Sequence, residues 1–175
     1  MNIRRLCPAD AGAYQSFRLS ALHDSPAAFG ASFDEEKDYS PSAIEERLAL
    51  KSDVGAFGAF NDVDTIIGSV ALARENSNKL LHKAFIWGVY VAPDYRGQGV
   101  SRLLLIEALS LARSVADLRQ VNLGVNAENA IAIAIKLYKS LGFVTFGCVP
   151  HVAERMRQHQ SHQLKEKNPA EFLRV

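Results

Sequence analysis

The stretch that decides the fold reads Val89-Tyr90-Val91-Ala92-Pro93-Asp94-Tyr95-Arg96-Gly97-Gln98-Gly99-Val100-Ser101-Arg102-Leu103-Leu104-Leu105. Its approach, Phe85 to Ala92, is apolar and rich in β-branched and aromatic residues, the composition of a buried strand. Pro93-Asp94 ends that strand. Gly97 and Gly99 then permit a tight approach of bare backbone. Leu103, Leu104, Leu105, Ala108, Leu109 and Ala112 predict a helix reaching about Ser114. A strand that turns through glycines into a helix gathers free N–H groups at the positive end of the helix dipole, an arrangement that holds phosphate. Arg96 and Arg102 add positive charge beside it, either as phosphate neighbours or as surface arginines, with their backbone N–H groups mattering more than their side chains.

The spacing narrows the ligand. A P-loop needs Gly-Lys-Ser/Thr after four free positions, and no such run exists here. A dinucleotide fingerprint needs a third glycine where Arg102 stands. The pattern that fits is Arg/Gln-x-x-Gly-x-Gly/Ala, written here Arg96-Gly97-Gln98-Gly99-Val100-Ser101. It resembles the pyrophosphate-binding motif of the GNAT acetyltransferase superfamily, which binds acetyl-coenzyme A. Ser101 departs from the pattern but is small enough to keep the approach close. A second stretch, Asn126-Ala127-Glu128-Asn129-Ala130 followed by Leu137-Tyr138-Lys139-Ser140-Leu141-Gly142-Phe143, resembles the superfamily's other motif, an asparagine before a helix that ends in Leu-Tyr-x-x-x-Gly-Phe.

Composition sets the frame. The 175 residues suffice for one domain with a sizeable core, and 48% hydrophobic with 22% charged residues is ordinary globular usage. A formal net charge of +1 argues against a nucleic-acid surface. No apolar run approaches the roughly 20 residues of a membrane span, and no signal-peptide pattern follows Met1, so a cytoplasmic protein is expected. Cys7 and Cys148 have no metal-type spacing and read as reduced thiols. His159 and His162 sit among glutamines and read as a solvated face, so no metal site is expected.

In chain order, Ile3–Leu6 reads as a strand. A helix starts at Pro8-Ala9-Asp10, with Tyr14, Phe17, Arg18, Ala21 and Leu22 at helical spacing, and Ser25-Pro26 ends it. An apolar loop from Ala27 to Phe33 precedes a second helix at Ser40-Pro41, with a Ser42-to-Glu45 capping box and Ile44, Leu48 and Leu50 facing inward. Strands follow at Val54–Phe60, Thr65–Arg74 and Phe85–Ala92. After the helix ending near Ser114 come a strand at Arg119–Val125, a helix capped by Asn126 and closed by Gly142, and a strand at Val144–Val149. Short turns between the middle strands imply antiparallel pairing, and the long helical crossover implies a parallel pair. The expectation is an α/β fold with a mixed sheet flanked by helices, the element order of the GNAT fold. The resemblance covers residues 1–150. Residues 151–175 form an atypical tail of the same domain: 151–167 is charged and rich in helix formers, and only Phe172–Val175 offers a last strand, too short to be secure. An incomplete sheet edge recruits neighbours, which makes a homodimer an expected partner arrangement.

The resemblance implies transfer of an acetyl group from acetyl-coenzyme A, as cosubstrate, to a primary amine of a small molecule or peptide by direct attack. Backbone groups of Val89, Tyr90 and Val91 would meet the thioester and pantetheine arm, and residues Arg96, Gly97, Gln98, Gly99, Val100, Ser101 and Arg102 the diphosphate. Asn129 would hydrogen-bond the cofactor. Tyr138 would protonate the leaving thiolate, since a phenol with a pKa of about 10 stays protonated at neutral pH. Phe29, Phe33 and Trp87 could wall an acceptor site, with Asp34, Glu35 and Glu36 attracting an ammonium group. The strand from Phe85 to Val91 carries no carboxylate. The base is therefore open: Glu75 or His82 through a water, or none. The alternative reading is a non-catalytic coenzyme A-binding module with a degraded acceptor site. The acceptor itself is not legible.

Overall fold

Two covered faces shape the sheet. Among the residues described by the computed structural model, 1–126, 131–149 and 170–175, seven strands form one mixed sheet. They are β1 (Asn2–Arg5), β2 (Gly55–Phe60), β3 (Ile66–Arg74), β4 (Lys83–Val91), β5 (Gln120–Asn126), β6 (Val144–Val149) and β7 (Ala170–Arg174). The spatial order is β1-β2-β3-β4-β5-β7-β6, antiparallel except for the parallel pair β4–β5. The helices are α1 (Ala11–Asp24), α2 (Phe33–Glu36), α3 (Pro41–Arg47), α4 (Val100–Ser114) and α5 (Ile131–Ser140).

Every residue of β2 is buried, because the sheet is covered on both sides. On one face Leu104, Leu105, Ala108, Leu109 and Ala112 of α4 pack on Val70, Leu72, Ala84, Ile86, Val121 and Leu123. On the other, Tyr14 of α1 and Ile44 and Leu48, in and just after α3, pack on Ala56, Phe60, Ile66 and Ala71. Leu104 and Leu105 are fully buried, each contributing about 1.5–3 kcal/mol of transfer free energy. Gly68 of β3 lets α4 begin close to the sheet. A Cβ there would stand 3.0 Å from Leu104 Cδ1 and 3.2 Å from Val100 Cγ1.

The expected strands and long helices are present, most ends shifted by a residue or two, as helix and strand termini usually are. α1 starts at Ala11, after a single 3-10 turn at Pro8–Asp10. Asn126, expected to cap the last helix, is instead the final residue of β5, paired with Ala170, while α5 is described from Ile131. Three further local expectations change. The capping box lies at Ser32–Glu35, opening α2, whereas α3 is capped by Ser40 alone, whose hydroxyl accepts from Ala43 N–H. Leu50 lies beyond the α3 face and is 63% exposed. The sheet is also not left open at its final strand. β7 is five residues long yet pairs antiparallel with β5 on one side and β6 on the other. Two ladders hold what a single edge pairing could not. Residues 150–169 lie outside the described residues.

Candidate active site

The site begins where β4 stops pairing with β5. The parallel ladder runs from Lys83↔Gln120 to Ile86↔Leu123 and goes no further. On its other side β4 keeps pairing with β3, but with a slip: Ala71 faces Trp87 and Ser69 faces Tyr90, so β4 spends three steps where β3 spends two. Gly88, at φ +65°, absorbs the extra residue. Two consequences follow. Trp87 and Tyr90 both stand on the α1 face, and the backbone from Trp87 onward has no β5 partner.

A cavity of about 510 Å³ opens in this splay. Its walls are the β4 bulge from Ile86 to Val89, Leu123–Val125 of β5, Ala134 and Tyr138 of α5, and the Asp24–Phe29 loop after α1. Tyr138 is 8% exposed, edge-on to Phe143 at 5.9 Å between ring centres. Burial pushes its phenol up to about 12, so it holds its proton at any physiological pH.

Beyond the splay, a turn at Pro93–Tyr95 leads to Gly97 at φ +75° and Gly99 at φ +81°, and Gly99 caps α4. Both conformations disfavour any other residue. No atom lies within 4 Å of a Cβ placed at either glycine, so a side chain there would fill open space at the helix start. The N–H groups from Gly97 to Arg102 donate to no described residue, the first backbone donor of the helix being Leu103 to the Gly99 carbonyl at 3.2 Å. An open set of amides at the positive end of a 15-residue helix fits a diphosphate. The two arginine side chains are engaged elsewhere. Arg96 donates through Nε to the Val91 carbonyl and through Nη2 to Asp24, and Arg102 donates to Ser140 Oγ at 2.7 Å. They brace the turn, and its main chain remains free.

The acceptor-side residues divide. Phe29 and Trp87 both line the cavity, and the Arg18 guanidinium lies over both rings, 4.6 Å and 5.6 Å from their centres. Phe33 does not line it; its ring meets His23 and is 38% exposed. The three acids at 34–36 do not gather for an ammonium group either. Asp34 pairs with Lys37, Glu35 caps Ser32 N–H, and Glu36 is buried between Arg18 and Arg47. Burial alone would raise the Glu36 carboxyl, but hydrogen bonds and charge from Arg18 and then Arg47 carry it below its usual value. Glu75 and His82 sit at the β4 end away from the bulge, where Glu75 N–H donates to the Lys83 carbonyl and the His82 carbonyl accepts from Arg119 and Gln120. Asn129 lies outside the described residues.

Sequence reasoning missed two side chains here. Arg18 was placed on a helix face but not as the partner of Glu36, a pairing 18 residues apart that only the fold reveals. Asp24 was not singled out at all, although it lines the cavity and binds Tyr90. Among the described residues no group of three or more potential ligands could hold a metal ion, and no helix is long and apolar enough to cross a membrane.

Comparison with known proteins places this geometry. An acetyltransferase of Streptococcus pneumoniae superposes with a TM-score of 0.82 at 20% identity, covering 99% of this chain and 98% of that one. A protein of Salmonella typhimurium, solved with acetyl-CoA as its cofactor, gives 0.74 at 19% identity, with 100% and 92% covered. In sequence, the chain is 32% identical over 82 residues to a spermidine N(1)-acetyltransferase of Vibrio cholerae, covering 47% of this chain and 44% of that protein. The chain spans less than half the length of the curated relatives it matches. A model of the acetyltransferase (GNAT) family matches residues 19–143, from α1 through both motifs to Phe143, and the chain belongs to that family.

Proposed function

We propose that this protein is an N-acetyltransferase that moves the acetyl group of acetyl-coenzyme A to a primary amine by direct attack. The observation that carries the proposal is the continuity of the free amides at Gly97–Arg102 with the unpaired β4 edge and the cavity beyond it. A diphosphate on those amides leaves a linear arm lying between β4 and β5, with its end in the cavity beside Tyr138. Acetyl-coenzyme A supplies an activated acyl carbonyl and a thiolate leaving group. The protein's part is to fix the arm with Val89–Val91 main-chain groups, to exclude water with Ile86, Val89 and Leu123, and to hold a proton on Tyr138 Oη for the departing sulfur. Amine attack without a covalent enzyme intermediate suits a cavity whose described lining contains no cysteine, whose one aliphatic hydroxyl, Ser25, is turned onto Asp24, and whose phenol, Tyr138, stays protonated.

The acceptor is a small amine or a peptide amine, and the spermidine N(1)-acetyltransferase of Vibrio cholerae is an example of a relative acting on the first class. A cytoplasmic setting agrees with Cys7, a free thiol. A homodimer would bury the β6 edge, where Val144 and Phe146 are exposed. The test is release of coenzyme A thiol with a panel of polyamines, amino acids, arylalkylamines, aminoglycosides and peptides. Turnover with at least one amine is expected. Calorimetric binding of acetyl-coenzyme A with no turnover on any amine would leave a non-catalytic coenzyme A-binding module in its place.

A further inference from the structure

Asp24 ends α1 and lines the cavity. Its Oδ2 accepts from Ser25 Oγ, Tyr90 Oη and Arg96 Nη2, each at 2.8 Å. Three donors on one oxygen fix the carboxylate plane and saturate that oxygen. Oδ1 accepts from no described residue, and the side chain is 38% exposed. Asp24 is also the one charged side chain among the described residues of the cavity wall. The Arg18–Glu36–Arg47 group lies behind Phe29 and Trp87, and Arg18 itself is 4% exposed. The carboxylate stands at the C-terminal, negative end of a 14-residue helix, which favours a cation at the same place.

We propose that Oδ1 of Asp24 receives the acceptor's nitrogen, accepting one of its N–H groups, while an apolar body, aryl or branched alkyl, lies along Phe29 and Trp87. The proposal rests on the acetyltransferase reading and names its substrate class: a primary amine with an apolar body. It also supplies a carboxylate where β4 has none. Hydrogen bonds from Ser25, Tyr90 and then Arg96 hold the Asp24 carboxyl below its usual range, so it stays ionised at neutral pH and is a weak base. Its role is to hold and orient the nitrogen; the ammonium proton leaves to solvent before attack.

Asp24→Asn inverts the group. The amide oxygen can keep the donors of Oδ2, which puts an NH2 where Oδ1 stands, a donor facing a donor. With 2-phenylethylamine as acceptor, KM for the amine is expected to rise at least tenfold across pH 6–9, with the acetyl-coenzyme A dissociation constant within twofold of wild type. Asp24→Glu should recover part of the loss. In wild type loaded with coenzyme A, 2-phenylethylamine should bind at least tenfold more tightly than 2-phenylethanol, and that preference should vanish in Asp24→Asn. An amine KM within threefold of wild type in Asp24→Asn, or equal binding of amine and alcohol to wild type, overturns the proposal. Loss of a neutral-pH ionisation from the Asp24→Asn profile also overturns it, because it makes Asp24 the base. Turnover of other amines with none of 2-phenylethylamine overturns the substrate class. Failure of wild type on every amine sinks the acetyltransferase reading itself, and so is told apart from these.

Discussion

The two halves of the site are built from different materials. The half at the start of α4 is main chain: two glycines at positive φ, a row of amides without acceptors among the described residues, and a strand that has parted from its neighbour. The half under α1 is side chain: Phe29 and Trp87, with a buried Arg18–Glu36–Arg47 cluster behind them and Asp24 at the rim. In the proposed reading, backbone donors would grip the diphosphate that every acetyl-coenzyme A molecule carries. Side chains can be exchanged without moving the backbone. The contrast teaches where one ligand is held constant and where another is free to vary.

The comparison can be broken first at the buried cluster. Glu36→Gln leaves two guanidinium groups sharing a neutral amide, with Glu36 at 4% and Arg18 at 4% exposure. Removing one partner from a buried ion group costs about 3–5 kcal/mol. Chemical denaturation should show a loss of that size, and a loss below about 1 kcal/mol would mean that the cluster does not hold α1, α2 and α3 together. Next is the glycine turn. Gly99→Val meets a φ of +81° that β-branched residues avoid and sends a side chain into the open space at the helix start. Calorimetry should show acetyl-coenzyme A binding weakened about a hundredfold, or about 2.7 kcal/mol, with a folded protein by circular dichroism. Unchanged affinity would place the diphosphate elsewhere.

The smallest effect belongs to the group between the halves. Tyr138→Phe should lower kcat about tenfold, about 1.4 kcal/mol, with acetyl-coenzyme A affinity intact. Equal turnover would remove its proton-donating role. The same variant has a pH signature. Burial raises the phenol to about 12 in the folded chain, above its ordinary value of about 10. The unfolded chain therefore ionises first, and this contribution to stability is full below about pH 10 and lost as pH rises toward 12. Denaturation of Tyr138→Phe should lose less stability than wild type over that window.

The same division explains what the amino-acid order discloses. The strand-turn-helix from Phe85 to Ser114 was legible because glycine spacing and apolar periodicity are local properties. Tyr138 was legible from its motif, and the structure places it on the cavity wall. The acceptor half was only partly legible. Phe29 and Trp87 meet at the cavity and Phe33 does not, because the turn at Pro26–Ala28 and the cap at Ser32 send the two phenylalanines to different surroundings. Glu36 reads as a surface acid until Arg18 and Arg47 close on it from 18 and 11 residues away. Gly88 hints at a bulge, as an isolated glycine in a strand does, but only the slipped pairing with β3 locates it and shows its consequence. β7 is poorly legible because strand length is local, whereas its security comes from two neighbouring strands.

The placement of β7 also governs assembly in time. Among the described strands β6 pairs only with β7, so until Ala170–Arg174 emerge from synthesis, β5 and β6 have a gap between them and that flank stays unsealed. Closing it joins Asn122 to Arg174 and Asn126 to Ala170, separations of the kind that slow folding. In order of synthesis this segment is the piece that seals the flank, and before it arrives the β5 and β6 edges stand unpaired on that side, open to pairing with another chain.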